Sequence, residues 1–212
     1  SWGGKMNNGF HALIDAAKGA QCVLDVGAHI GLTALPVSRV LAPGGRCFAF
    51  EPAAVNMEYL QWHVAANQVD AIEVIPAVVG ATEQSSVSFY EADHETGMHA
   101  LAQTTNAIAT TARSRPMRTL DGFCGERSLT PDVIKIDVEG AETDVLRGAR
   151  NVLAHARPVI LLSVHPPFLP KLGSSVAELQ QVIHDAGYQL VTIDTHCPPD
   201  VLEMQEYLMM PL

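Results

Sequence analysis

The chain has 212 residues, a length that fits one domain with a sizeable core. Asp and Glu number 23 against 13 Lys and Arg, a formal net charge of −10, which argues against a nucleic acid partner because phosphate backbones are met by basic faces. No apolar run approaches the ~18–20 residues of a membrane span, and the longest, residues 159–164, fits a buried strand.

Residues 22–26 form a short apolar run, too brief for a helix, that ends in Gly27-Ala-His-Ile-Gly31. Residues 32–41 read as a helix with Pro36 inside it, and Pro43-Gly44-Gly45 as a turn. Residues 46–51 are a second strand closed by a carboxylate. Pro52 then opens a helix to about Asn67, with Val55, Tyr59, Leu60 and Val64 at helical spacing. Met57, Tyr59 and Trp62 read as core or interface residues. Residues 72–79 make a third strand, followed by the Gly80 turn and an alternating segment at 86–90. Over residues 91–115 the apolar period dissolves, as expected of a long mobile loop over a functional site. Residues 132–137 resume the sheet, 141–153 form a helix, and 158–163 another strand. An amphipathic helix at 176–186 is ended by Gly187. Residues 188–194 and 205–210 are the last two strands, pairing as an antiparallel edge. The repeated strand–helix unit predicts a doubly wound, mostly parallel α/β sheet in a single domain spanning 1–212, with 1–21 as a preceding segment.

Cys22, Cys47, Cys124 and Cys197 lie far apart with neither C-x-x-C nor zinc spacing, and read as buried free thiols in a reducing compartment. Residues 1–8 lack the charged and apolar regions of a signal peptide. A cytoplasmic location is the expectation.

In open α/β sheets ligands bind beyond the carboxyl ends of the strands, and three such ends carry polar residues here. At the first, Gly27 and Gly31 permit a tight turn and close approach of a ligand to backbone N–H groups. Asp25 stands where a dinucleotide fingerprint has its first glycine, and Ile30 where it has its third. An anion there opposes a pyrophosphate. It suits a ligand's ammonium group, or else it orders its own turn. At the second end, Glu51 lies about 20 residues beyond the glycine turn, where an acidic residue typically accepts ribose hydroxyls. Together Asp25 and Glu51 describe a nucleoside with a cationic tail, for which S-adenosyl-L-methionine is the common cofactor. At the third, Asp137 leaves a buried strand beside that ligand, while Glu139 and Glu142 read as capping or solvated residues at a helix start.

The segments Val23-Leu-Asp-Val-Gly-Ala-His-Ile-Gly31, Ala49-Phe-Glu-Pro52, Arg118-Thr-Leu-Asp121 and above all Val133-Ile-Lys-Ile-Asp-Val-Glu-Gly-Ala-Glu142 resemble the FkbM-type S-adenosylmethionine-dependent methyltransferases. The resemblance implies a Rossmann-like, seven-stranded sheet with an antiparallel last strand. It also implies methyl transfer, usually to an oxygen of a sugar or natural product, with S-adenosyl-L-homocysteine as product. Carried onto this chain, Asp25, Gly27, Ala28, His29 and Gly31 belong to the loop at the methionine end, and Glu51 with Pro52 to the ribose clamp. Ala77 and Val78 lie along the adenine edge, and Asp137 beside the methionine moiety and the reaction centre. His29 departs from the family, which more often shows Asn.

Removal of a proton from a hydroxyl acceptor points to Asp137 and His165 as catalytic candidates, His165 sitting two residues past its strand on the same rim. His94 and His99 in the expected loop are further candidates. No obligatory metal is expected. Partners are then a small hydroxylated acceptor, with neither nucleic acid nor membrane, and the oligomeric state is open, a homodimer included. Two other readings remain: an NAD-dependent oxidoreductase, and a non-catalytic nucleoside-binding or interaction protein.

Overall fold

The computed structural model describes residues 8–92 and 110–212. In chain order the first elements are α1 (Asn8–Ala17), β1 (Cys22–Val26), α2 (Ala34–Ser38), β2 (Arg46–Phe50), α3 (Ala54–Ala66), β3 (Ile72–Ile75), β4 (Val78–Val79) and β5 (Gln84–Ala92). There follow β6 (Thr110–Arg118), α4 (Leu120–Arg127), β7 (Val133–Ile136), α5 (Glu142–Arg147), α6 (Arg150–His155) and β8 (Val159–Val164). A 3₁₀ turn at Leu169–Leu172 leads to α7 (Val176–Asp185), β9 (Tyr188–Thr192) and β10 (Gln205–Pro211).

Strands with apolar residues on both faces need cover on both sides, which parallel crossovers supply. Every residue of β1 and β7 is buried, and the two pair in parallel at the centre of a seven-stranded sheet of order β3-β2-β1-β7-β8-β10-β9. Because successive side chains alternate across the sheet, Leu24, Val26, Ile134 and Ile136 enter one core with Phe50, Leu146 and Leu162. Val23, Val133 and Leu161 enter the other with Leu13 and Leu60. The doubly wound sheet is the expected one. Its last strand, β10, is antiparallel and lies between β8 and β9, so β9 forms the edge.

Several elements differ from the sequence expectation, each for a local reason. Residues 72–79 divide at Pro76, and β4 leaves the main sheet to pair with β6 in a three-stranded sheet of order β4-β6-β5. Residues 91–92 and 110–115, expected in the loop, belong to β5 and β6, which pair antiparallel. The rest of that expected loop, 93–109 with His94 and His99, lies outside the described residues. The expected helix at 141–153 is two helices, broken where Gly148 packs so closely on Gly80 that a Cβ would sit 2.1 Å from the Gly80 carbonyl oxygen. Helix α4 was not expected; its start is capped by Thr119, whose side chain accepts from Gly122 N. The helix expected at 32–41 is confined to α2. Tyr59 and Trp62 are exposed on α3 and do not enter the core, and Cys197 is exposed while the other three cysteines are buried. No described helix is long and apolar enough to cross a membrane.

Candidate active site

The carboxyl ends of β1, β2 and β7, with β4 and β5, surround one cleft. Its polar lining comes from His29, Glu51, Asn56, Asp137 and Glu139, and its apolar lining from Val26, Phe50, Ala77, Val78, Val79 and Phe89; Gly27, Pro52, Val138 and Ala141 complete it.

The glycine turn after β1 is shaped by close packing. At Gly27 φ is +79°, and a Cβ there would meet the Asp137 carbonyl oxygen at 1.9 Å; only glycine allows the β1 and β7 loops to approach so closely. Gly27 N and Ala28 N both donate to the Phe50 carbonyl, at 3.1 and 2.9 Å. His29 has φ +51°, a left-handed conformation that His and Asn enter more readily than most residues. Its backbone N donates to Glu51 Oε2 at 2.8 Å. Burial, reinforced by the charge of Lys135, holds the His29 imidazole below its usual pKa, so the side chain is neutral at physiological pH. Ala28 is buried, and Gly31 packs against Leu60. Neither lines the cleft.

Glu51 is 4% exposed. Besides His29 N, its carboxylate accepts from Ala53 N at 2.9 Å and Asn56 Nδ2 at 3.3 Å. Burial raises its pKa against the pull of these bonds. Pro52 beyond it is held from the small sheet: Arg115 Nε donates to the Pro52 carbonyl, and its guanidinium pairs with Glu91 at 2.5 Å.

Asp25 does not line the cleft. It is 1% exposed beneath the glycine turn, where Oδ2 accepts from Thr33 Oγ1 at 2.6 Å and Oδ1 forms an ion pair with Lys135 Nζ at 3.2 Å. Lys135 is the register partner of Asp25 on β7. Its ammonium also donates to the Gly27 carbonyl at 2.5 Å and faces Asp137 Oδ2 at 3.9 Å. Burial opposes this charge, yet Asp25 and Asp137 outweigh it and raise the Lys135 pKa. Asp25 therefore sits where it orders the turn through Lys135.

At the far rim, Asp137 is close to His165, with 3.6 Å between Oδ1 and Nε2. His165 Nδ1 lies 2.6 Å from Glu142 Oε1, within hydrogen-bond distance, and Glu142 is fully buried. Glu142 and Glu139 are thus part of the site and not a solvated helix face. Glu139, at φ +49°, lines the cleft half-buried. Burial first, then the charges of Asp137, Glu142 and Glu51, raise its pKa to about 7 against the opposing pull of His165. Among the described residues, no cluster of three or more His, Cys, Asp or Glu could hold a metal ion.

The sequence reading missed Lys135, Asn56 and Phe89, and gave Glu139 and Glu142 only as capping or solvated residues. Lys135 had a signal: it lies two residues before Asp137, and strand alternation places both on one face. Nothing in the sequence pattern marks Phe89, because it reaches the cleft from the second sheet.

The model of the methyltransferase FkbM domain matches residues 25–190. The chain belongs to the FkbM methyltransferase family. Methyltransferase 1 of Beauveria bassiana (strain ARSEF 2860) is 26% identical over 143 residues, covering 59% of this chain and 57% of that protein. The chain therefore spans little more than half the length of this curated relative. Among solved structures, the FkbM methyltransferase of Methylobacillus flagellatus KT aligns with TM-score 0.55 and 18% identity over 91% of this chain and 43% of the other. Fibrillarin of Aeropyrum pernix, solved with natively bound S-adenosyl-L-methionine, aligns with TM-score 0.51 and 16% identity over 95% and 75%. The fold of this chain is the Rossmann-like one of those structures.

Two predictions follow from the site's charges. Lys135→Met leaves Asp25 and Gly27 O without their buried partner and lowers unfolding free energy by about 3–5 kcal/mol, measured by urea denaturation; a loss below about 1 kcal/mol would show the ion to be dispensable. A carbon-13 titration of the glutamate carboxyls should reveal one midpoint near 7 that is absent in Glu139→Gln. If every glutamate titrates near its ordinary 4.5, the crowding described for Glu139 is wrong.

Proposed function

We propose that the protein transfers a methyl group from S-adenosylmethionine to a hydroxyl of a small acceptor, a sugar or secondary metabolite, leaving S-adenosylhomocysteine. The observation that carries this reading is Glu51, a buried carboxylate fixed by two backbone N–H groups at the mouth of a cleft with an apolar lining. A carboxylate has about four acceptor positions. Oε1 is engaged by Ala53 and Asn56 and Oε2 by His29, so Oε2 retains capacity for a ribose hydroxyl.

In this reading Ala77 and Val78, with Phe50 and Phe89, take the adenine, and Pro52 flanks the ribose. Gly27 and His29 take the methionine end, with Ala28 and Gly31 shaping the turn. Asp25 acts from beneath through Lys135, and Asp137 faces the cationic end. S-Adenosylmethionine, when bound, supplies a methyl group already activated on a sulfonium. The chain's own work is orientation, exclusion of water and removal of the acceptor's proton. His165 takes that role, with Asp137 beside its Nε2. A net charge of −10 favours a cationic cofactor and disfavours polyanionic acceptors. The family match favours methyl transfer over an NAD-dependent oxidoreductase. Four free cysteines support a reducing, cytoplasmic setting.

Calorimetric titration with S-adenosylmethionine and S-adenosylhomocysteine, with NAD as control, tests the cofactor before any acceptor is known. Micromolar binding of the first two is expected, weakened roughly tenfold or more in Glu51→Ala by loss of a charge-assisted hydrogen bond. Equal affinity in Glu51→Ala, or comparable binding of NAD, overturns the reading.

A further inference from the structure

We propose that Glu142 is a positioning residue: its enclosed carboxylate holds the His165 imidazole in the Nδ1–H form and turns Nε2, the proton-accepting atom, toward Asp137 and the cleft. The purpose assigned to this dyad rests on the methyl-transfer reading above; its geometry does not.

Two elements distant in sequence are brought together to build it. Glu142 opens α5 and His165 follows β8, and Glu142 is 0% exposed. Its Oε1 accepts from His165 Nδ1 at 2.6 Å and from Gly140 N at 3.0 Å. Gly140 has φ +108°, and a Cβ there would meet the Phe168 backbone at 2.9 Å. No side chain but glycine's lets the turn carrying Glu142 pack against the segment after His165. Phe168 stacks on the imidazole, with ring centroids 6.0 Å apart and planes 9° apart, and its N donates to the His165 carbonyl at 2.9 Å. The ring is therefore held at one nitrogen and on one face. Nε2 is left 3.6 Å from Asp137 Oδ1.

A second observation separates this arrangement from an ordinary helix cap. Glu142 Oε2 is buried and has no hydrogen-bond partner among the described residues. An orphaned buried acceptor is costly, and a capping carboxylate gains nothing from full burial. A carboxylate that awaits a developing positive charge does. When the proton of the acceptor hydroxyl moves to Nε2, the acceptor oxygen keeps its electron pair for the new bond to the methyl carbon, and the bond from that carbon to sulfur breaks with its electron pair left on sulfur. The imidazole becomes an imidazolium with two N–H donors, and Glu142 becomes its counter-ion. After the product leaves, Nε2 returns the proton to water. The groups around His165 are Asp137 and Glu139 from the end of β7, Glu142 from α5, and Phe168 with Lys171 above its ring from the 3₁₀ turn. Glu206 on β10 acts on this set through Asp137. Burial alone would lower the His165 pKa, but the Glu142 bond and then the carboxylate charges outweigh it and raise it above 6.5.

Nitrogen-15 NMR of the histidine rings in the ligand-free protein tests the proposal without any acceptor. The neutral His165 ring should be the Nδ1–H tautomer and should titrate above 6.5. Glu142→Gln should lower that midpoint by about one unit or more, tenfold in proton affinity, and populate the Nε2–H tautomer. Glu142→Asp should keep the midpoint raised. An Nε2–H tautomer in the wild type, or an unchanged midpoint in Glu142→Gln, overturns the dyad. Should Glu142→Gln fail to fold, the wild-type tautomer decides alone. Failure of the wild type to bind S-adenosylhomocysteine would overturn the methyl-transfer reading, and the ring spectra would still report on the dyad.

Discussion

The ammonium of Lys135 is the charge around which the cleft is arranged. At 5% exposure it lies out of reach of bulk water, and an unmatched buried ion costs several kcal/mol. Its partners are Asp25, the Gly27 carbonyl and Asp137. Parallel register makes Asp25 and Lys135 neighbours on β1 and β7, and strand alternation puts Asp137 on the same side two residues later. One ion thus ties together the two loops that leave the central strands. Those loops can meet only because residue 27 has no side chain.

The strand–helix order, the parallel centre and the antiparallel last strand were legible because apolar runs bounded by glycine and proline announce buried strands. Glu51, Gly27 and Asp137 were legible because strand ends in such sheets are where ligands sit. Asp25 was found for the right loop, but its partner was not: Lys135 was read only as part of the apolar run that ends at Asp137. Glu139 and Glu142 were ambiguous for a physical reason. Acidic residues at a helix start are favoured by the helix dipole alone, so residue type cannot distinguish a cap from a buried ligand of histidine. Strand β6 was invisible because its residues are largely polar and, from Thr111 to Arg118, largely exposed, without the alternation that marks a half-buried strand.

The carboxylates crowded at the end of β7 pull stability and binding in opposite directions. Glu139 holds its proton more tightly folded than unfolded, with a folded pKa of about 7. As pH rises from about 4.5 toward 7, the unfolded chain loses that proton first, so this group's contribution to stability falls. Above 7 the folded protein carries an anion it would rather have protonated. A cation placed against Glu139 and Asp137 offsets that strain, and binding is favoured by the relief. The neutral His29 on the opposite loop adds no competing positive charge.

The small sheet belongs to the same design. Val78 of β4 and Phe89 of β5 both line the cleft, so part of its apolar lining comes from outside the main sheet. What fixes the small sheet relative to the main one is the largely buried pair of Arg115 and Glu91. Arg115 also donates to the Pro52 carbonyl, and Glu91 accepts from Ala54 N at 3.4 Å. These contacts bracket Pro52 and Ala53, the residues that follow Glu51 and supply one of its backbone donors. A buried pair of this kind adds little net stability, because desolvation consumes most of the attraction. Its effect is geometric: if either partner is removed, the other is left charged against the backbone beside Glu51, so displacement of the small sheet is transmitted to the carboxylate at the mouth of the cleft.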